Sequence, residues 1–120
     1  MIKLLTLILM LTTGTVTAED QQQTIPEPFR GKWDFNLESC SSRGSEGRLI
    51  ISAGRVEFYE SIGSVRSVVT HGNSDLELTM ELSGEGETWI SNYYFRLSDD
   101  QKSLTDLTNG NPGFVRYRCP

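Results

Sequence analysis

Histidine and cysteine are scarce in this sequence, and both shortages limit the chemistry that the chain can support. His71 is the only histidine, and it stands beside Gly72 in a predicted turn, where we expect a solvated side chain. Cys40 and Cys119 are the only cysteines, and they lie too far apart for a Cys-x-x-Cys redox motif. One histidine with two cysteines does not supply the usual ligand set of a zinc site. We therefore expect no metal centre, no redox chemistry and no cofactor.

Long apolar runs are absent beyond one short segment near the start. Residues 4–11 are apolar, follow Lys3 and precede the small residues 16–18. This order is typical of a secretion signal that is cleaved before Glu19. The run is far too short to span a bilayer as a helix, and no second run follows it. We expect residues 1–18 to be a signal peptide and the mature protein to be periplasmic or secreted, without a transmembrane segment.

Positive charge is in deficit. The chain has 16 acidic and 11 basic residues, and removal of Lys3 with the signal leaves a net charge of −6. Nucleic acids and anionic lipid surfaces both attract proteins through clustered Lys and Arg. We therefore expect no nucleic acid partner, and we interpret the acidic residues as a solubilising surface of an exported domain.

The two cysteines are placed to join the ends of the folded domain. In an oxidising compartment they can pair with each other, and Cys119 lies 79 residues after Cys40. In the chain-entropy model, a disulfide that closes a loop of that length raises the free energy of unfolding by about 4–5 kcal/mol. The total free energy of unfolding of a small domain is about 5–15 kcal/mol. We predict a structural disulfide between Cys40 and Cys119.

Alternation of apolar and polar residues dominates after residue 29. It is clearest over residues 75–82, where Leu76, Leu78, Met80 and Leu82 alternate with polar residues, as in a strand with one wet face. Eight strands are predicted, at residues 31–37, 47–52, 55–60, 64–70, 75–82, 89–97, 103–107 and 114–119. Turn clusters separate them, and no amphipathic helix is evident. This pattern predicts one all-β domain over residues 29–120, a small antiparallel barrel of about eight strands, with a β-sandwich as the alternative.

The segments outside these strands are short. Residues 19–28 are polar and contain two prolines, so we expect a flexible or extended lead-in rather than a strand or helix. Residues 39–46 form the longest irregular stretch and could hold a turn of helix.

Catalytic patterns are missing as well. Nothing resembles a nucleophile elbow, and Asp99 and Asp100 lack the spacing of a calcium loop. Glu85 and Glu87 flank Gly86 and could form a carboxylate pair like that of a glycosidase, but a charged hairpin tip is the simpler interpretation. We therefore predict no catalytic residue and no enzyme.

Aromatic residues are numerous for so small a chain. They can form core and rim, a ligand pocket, or an exposed patch for a protein partner. Tyr59 and Tyr94 fall on the faces opposite Phe58 and Phe95, so these two tyrosines are the candidate binding surface. A barrel of eight strands has room for side chains or one small ligand, and with strands this short we expect a filled interior.

The first predicted strand carries a family mark. Its Gly31-Lys32-Trp33 resembles the Gly-x-Trp opening of lipocalins and the wider calycin group of small β-barrels. The resemblance implies that Trp33 closes one end of the barrel under an arginine of the last strand, for which Arg116 and Arg118 are available. A guanidinium stacked on an indole contributes about 0.5–2 kcal/mol.

The wider pattern is similar to a set of small exported bacterial proteins. It includes Phe58-Tyr59-Glu60-Ser61, Gly84-Glu85-Gly86 before Trp89, and Tyr117-Arg118-Cys119. This resemblance implies a family but no activity. We expect a non-enzymatic barrel that binds a protein or a small ligand in the cell envelope.

The alternative function is inhibition of a secreted hydrolase such as a metalloprotease. Some bacterial metalloprotease inhibitors are calycin-like barrels with a Gly-x-Trp opening and one disulfide. In such an inhibitor, residues 19–28 would enter the protease cleft.

Overall fold

A computed structural model describes residues 19–120, so the predicted signal peptide lies outside the described residues. Nine antiparallel strands make up the fold: β1 (Glu19–Gln22), β2 (Gly31–Asp34), β3 (Leu49–Ile51), β4 (Arg55–Glu57), β5 (Ile62–His71), β6 (Asp75–Gly84), β7 (Glu87–Leu97), β8 (Ser103–Asp106) and β9 (Phe114–Arg118). Two short 3-10 helices, Glu27–Phe29 and Glu38–Ser41, are the only helical elements of these residues. None of the described helices is long and apolar enough to cross a membrane.

The sheet closes on itself. Its strands follow the order β5-β4-β3-β2-β9-β8-β7-β6, and β6 pairs again with β5. The first and last predicted strands are β2 and β9, and they pair with each other. Trp33 lies opposite Arg118, and Asp34 lies opposite Tyr117. The prediction of an eight-stranded antiparallel barrel is confirmed, and the sandwich alternative is wrong.

The lead-in was predicted wrongly. Residues 19–22 form β1, which pairs with Val68–His71 of β5. Strand β4 covers only Ile62–Ser64 on that side of β5, so the remaining edge is open to a further strand, and β1 satisfies its backbone groups. Ile25, the one aliphatic residue of the segment, is fully buried, and its N–H donates to the carbonyl of Ala53 at 2.8 Å. Strand pairing and the buried Ile25 side chain therefore hold this segment in place. Its polar composition predicts neither of these features.

The strands differ greatly in length. Strands β5, β6 and β7 have 10, 10 and 11 residues, whereas β2, β3, β4 and β8 have three or four. On its β7 side, this long meander therefore extends past β8 where β6 turns into β7. We call this the open end, and the opposite end, where β2 begins and β9 finishes, the closed end. The turn at the open end uses Glu85 and Gly86 with φ of 50° and 80°, the positive values that a two-residue type I′ hairpin needs.

A compact apolar core fills the barrel below the open end. The alternation predicted for β6 is confirmed, because Leu76, Leu78, Met80 and Leu82 are all fully buried. The other buried apolar side chains are Ile25, Phe29, Trp33, Leu49, Ile51, Val56, Val68, Phe95, Leu97 and Leu104.

The predicted disulfide is present. Cys40 lies in the second 3-10 helix and Cys119 directly follows β9, with their Cα atoms 5.6 Å apart. The helix begins one residue before residues 39–46, the stretch in which a turn of helix is predicted, and covers the first three of them. Lys32 strengthens the junction by donating its ammonium to the carbonyl of Cys40, while its own carbonyl accepts from the N–H of Cys119. The bond thus fastens the connection after β2 to the last strand of the barrel.

Candidate functional site

The closed end is sealed by one tryptophan and one arginine. Trp33 is fully buried, and its indole N–H donates to the carbonyl of Phe29 at 3.0 Å. The guanidinium carbon of Arg118 lies 4.1 Å from the centre of the Trp33 ring. Burial lowers the pKa of Arg118, and the cation is compensated by backbone carbonyls. It donates to those of Pro28 at 2.6 Å, Arg30 at 2.7 Å and Gln101 at 2.9 Å.

Arg116, the other arginine considered for this role, lies elsewhere. Its guanidinium carbon stands 5.3 Å from the centre of the Phe35 ring, and its Nε donates to the carbonyl of Gly47 at 2.8 Å. Its Nη1 is 3.8 Å from a carboxylate oxygen of Asp106. Burial lowers the pKa of Arg116, and the charges of Asp106 and Asp34 oppose that shift. Arg118 therefore covers Trp33, and Arg116 belongs to a polar layer nearer the open end.

That polar layer contains single buried atoms that lack a hydrogen-bond partner among the described residues. Asp34 is fully buried and accepts hydrogen bonds at Oδ1 from the Ser45 hydroxyl at 2.7 Å and the Phe35 N–H at 2.8 Å. Asp34 Oδ2 and Arg116 Nη1 have no hydrogen-bond partner among the described residues. Tyr93 borders the layer, and burial together with the Asp106 charge raises the pKa of its phenol. The barrel is therefore apolar at the closed end and polar toward the open one.

Two grooves lie side by side at the open end. The larger has a volume of about 340 Å³ and is lined by Tyr59, Ile62 and Arg48 among others. The smaller has a volume of about 220 Å³ and is lined by Trp89 together with three carboxylates, those of Glu60, Glu85 and Glu87. Glu60, Ser61 and Gly84 line both grooves, so the two are continuous.

Large apolar side chains around these grooves remain exposed. Tyr59 and Trp89 are each 42% exposed, and Ile90 is 61% exposed. On the other side of the open end, Phe35 stacks on Phe114 with ring centres 6.0 Å apart, and both are exposed. Exposed apolar groups gathered at one end of a small domain are typical of an interaction surface.

Part of strand β7 has no neighbouring strand on one side at the open end. It pairs with β6 along its full length but with β8 only through Phe95–Leu97, so no described strand flanks residues 87–93 on the β8 side. The N–H and C=O of Tyr94 both face that side, since they bond to Thr108 and Leu107.

Backbone groups of alternate residues point the same way in an antiparallel strand, so Thr88, Ile90 and Asn92 also face the β8 side. We call this stretch, Thr88 to Asn92, the free edge. Its three N–H and three C=O groups have no strand partner among the described residues.

The two residues of the predicted binding surface, Tyr59 and Tyr94, lie in different parts of the barrel. Tyr59 lies in the larger groove, but Tyr94 lies half-buried on the outer wall with its ring centre 6.1 Å from that of His71. His71 is the last residue of β5, not a turn residue as predicted, and its Nε2 is 3.3 Å from the Glu77 carboxylate. Tyr59 and Tyr94 therefore do not share one surface.

The other chemical candidates lie at the hairpin tip. Glu85 and Glu87 are both exposed there, beside Trp89. Within residues 19–120, no group of three His, Cys, Asp or Glu side chains is arranged to hold a metal ion. The carboxylates thus form an acidic rim around the smaller groove.

The sequence reasoning missed the free edge and the exposure of Trp89. The predicted strand lengths indicate such an edge, because a strand over residues 89–97 is longer than the neighbouring strand over residues 103–107. Fold and site geometry are the available guides to function, since no family model, curated protein or solved structure matches the chain.

Proposed function

We propose that this chain is an exported, non-enzymatic binding protein of the cell envelope, which holds a partner protein against the open end of its barrel. The observation that carries the proposal is the contrast between the two ends. One end is closed by Trp33 and Arg118, and the other exposes Tyr59 and Trp89 around two continuous grooves.

A partner protein suits this geometry better than a small ligand. Sites for small molecules are concave and enclose most of the ligand surface. Here the core below the grooves is filled by apolar side chains, and the grooves lie at the rim, bordered by exposed side chains. A macromolecular surface can cover such a rim, with aromatic groups acting as anchors.

Inhibition of a hydrolase through residues 19–28 has less support. That segment would have to leave the barrel to enter a protease cleft. It is instead held by β1 pairing, by buried Ile25 and by a hydrogen bond from Arg30 Nε to the Ile25 carbonyl at 2.8 Å. The open end is the surface that remains available.

The test is site-specific photo-crosslinking in cells that export the protein. A photoreactive residue is placed at Tyr59, at Trp89, or at Tyr117, which serves as the matched control because it is 45% exposed on the wall of β9. We expect the same crosslinked partner from positions 59 and 89 and none from position 117. Equal crosslinking from all three positions, or none from 59 and 89, would overturn the proposal.

A further inference from the structure

We propose that the free edge of β7 binds an extended, basic segment of the partner as an additional strand. This inference rests on the proposed function and specifies how the open end recognises its partner. Chains that add a strand to a sheet edge gain affinity from backbone hydrogen bonds and specificity from alternate side chains.

The first argument is the backbone. Thr88, Ile90 and Asn92 offer three donors and three acceptors in one line, continuing the line of β8 beyond Asp106. An incoming strand that extends β8 would be antiparallel to β7, as β8 itself is.

The second argument is the lack of protection. Natural sheets shield their edges with proline, inward charges, bulges or lysine. Residues 88–92 are Thr-Trp-Ile-Ser-Asn, without a proline or a charge, and their pairing with β6 is free of register shifts. An edge of this length with Ile90 61% exposed is a hazard unless it is used for binding.

The third argument concerns the side chains on either face of the edge. Trp89 lies opposite Leu82, on the face that continues the core, and Ile90 lies opposite Glu81 on the outer wall. A strand beside β7 would place alternate side chains against Trp89 and Ile90. The segment should therefore carry apolar or β-branched residues at its centre.

The fourth argument is charge, and it selects the occupant. Three carboxylates line the groove beside Trp89, those of Glu60, Glu85 and Glu87, and no basic side chain does. A segment antiparallel to β7 runs toward the hairpin tip, so lysine or arginine after its apolar part would meet these carboxylates. A second copy of this chain would bring an equally acidic tip and a net charge of the same sign. A basic partner is the complementary one.

The test uses a synthetic peptide of alternating threonine and valine followed by two lysines. A second peptide ends in two glutamates, and a third has the lysine sequence with every backbone amide of its threonine and valine residues methylated. Binding to the full folded domain is measured by calorimetry. Emission of exposed Trp89 is followed as well, with Trp89→Phe as the spectral control because the other tryptophan, Trp33, is buried.

Two protein variants isolate the edge. Ile90→Pro removes one donor from the free edge without removing a hydrogen bond to β6, and Ile90→Thr is the matched control that keeps the donor. We expect the lysine peptide to bind wild type and Ile90→Thr, with about tenfold weaker binding to Ile90→Pro. The glutamate peptide should bind at least about tenfold more weakly, and the methylated peptide should not bind, because neither of its edges can donate to β7.

Several results would overturn strand addition. One is a lysine peptide that does not bind. The others are a methylated peptide that binds as well as the unmethylated one, or an Ile90→Pro variant that binds as well as Ile90→Thr. Self-association that Ile90→Pro abolishes, without peptide competition, would identify a second copy as the occupant and also overturn the inference. The peptides leave wild-type protein unchanged, so a folding defect in Ile90→Pro does not obscure the result. Crosslinking from positions 59 and 89 would persist in each of these cases, so failure here is distinct from failure of the proposed function.

Discussion

The two tryptophans of this protein lie at opposite ends of one barrel and in opposite surroundings. Trp33 at the closed end is fully buried, donates its indole N–H and is covered by Arg118. Trp89 at the open end is 42% exposed and is bordered by carboxylates. The same kind of side chain therefore stabilises the fold at one end and remains available for contact at the other.

The difference arises from strand length. At the closed end the short strands finish together, so the segment from Ile25 to Arg30 can close over the core and supply carbonyls to Arg118. At the open end β7 continues past β8, which leaves apolar side chains and backbone groups of β7 uncovered. A barrel built from unequal strands thus has a sealed end and an uncovered strand edge in one sheet.

The largest expected effect comes from the disulfide that joins Cys40 to Cys119, directly after β9. Changing both Cys40 and Cys119 to Ala should lower the free energy of unfolding by about 4–5 kcal/mol, because the bond closes a loop of 79 residues in the unfolded chain. Urea denaturation of the variant and of the oxidised wild type measures the difference. A loss below about 1 kcal/mol would mean that the barrel is held by its core alone.

The next effect separates the two tryptophans directly. Trp33→Ala should lower the free energy of unfolding by about 3–5 kcal/mol, because it leaves a large cavity in the core. Trp89→Ala should change the free energy of unfolding by less than about 0.5 kcal/mol, as exposed substitutions usually do. Denaturation of both variants tests the contrast, and equal costs would contradict the distinction between a sealed and an exposed end.

A smaller effect is expected for the arginine that covers Trp33. Arg118→Lys keeps the charge but loses the flat stacking surface and part of the fork of donors, so we expect a loss of about 1–2 kcal/mol. Arg55→Lys is the matched control, because the Arg55 side chain is exposed and pairs with Glu57 on the barrel wall. If both variants unfold at the same denaturant concentration, Arg118 does not close the barrel.

The smallest effect concerns the hairpin tip. Glu85 has φ of 50°, a value that asparagine and glycine adopt more readily than glutamate. Glu85→Asn should therefore raise the free energy of unfolding by about 0.5 kcal/mol while removing one carboxylate from the smaller groove. Weaker binding of the lysine peptide by this more stable variant would indicate that the tip retains Glu85 for its charge. Unchanged binding would show that Glu85 does not contribute to recognition.

Much of the fold was predictable because its determinants are local. Alternation of Leu76, Leu78, Met80 and Leu82 reports one buried face of a strand, and turn clusters report where strands end. β1 could not be predicted in this way, since it exists only because β4 leaves part of β5 unpaired. Its residues carry no strand pattern of their own.

The site was less predictable than the fold. Tyr59 and Tyr94 alternate correctly away from the core, but alternation does not tell whether an outward residue lies in a groove or on a wall. The exposure of Trp89 depends on where β8 ends relative to β7, which is a tertiary property. Arg116 and Arg118 share one face of β9, so the choice between them depends on the register of β9 with β2.

The most direct test of the account is residue-resolved amide hydrogen exchange on the isolated, folded domain. The free edge predicts a two-residue alternation along β7. The amides of Thr88, Ile90 and Asn92 should exchange almost without protection, while those of Trp89 and Ser91 should be protected by their bonds to β6. Protection of all five amides would mean that the edge is already covered, and it would contradict the claim that the open end is kept free to bind a strand.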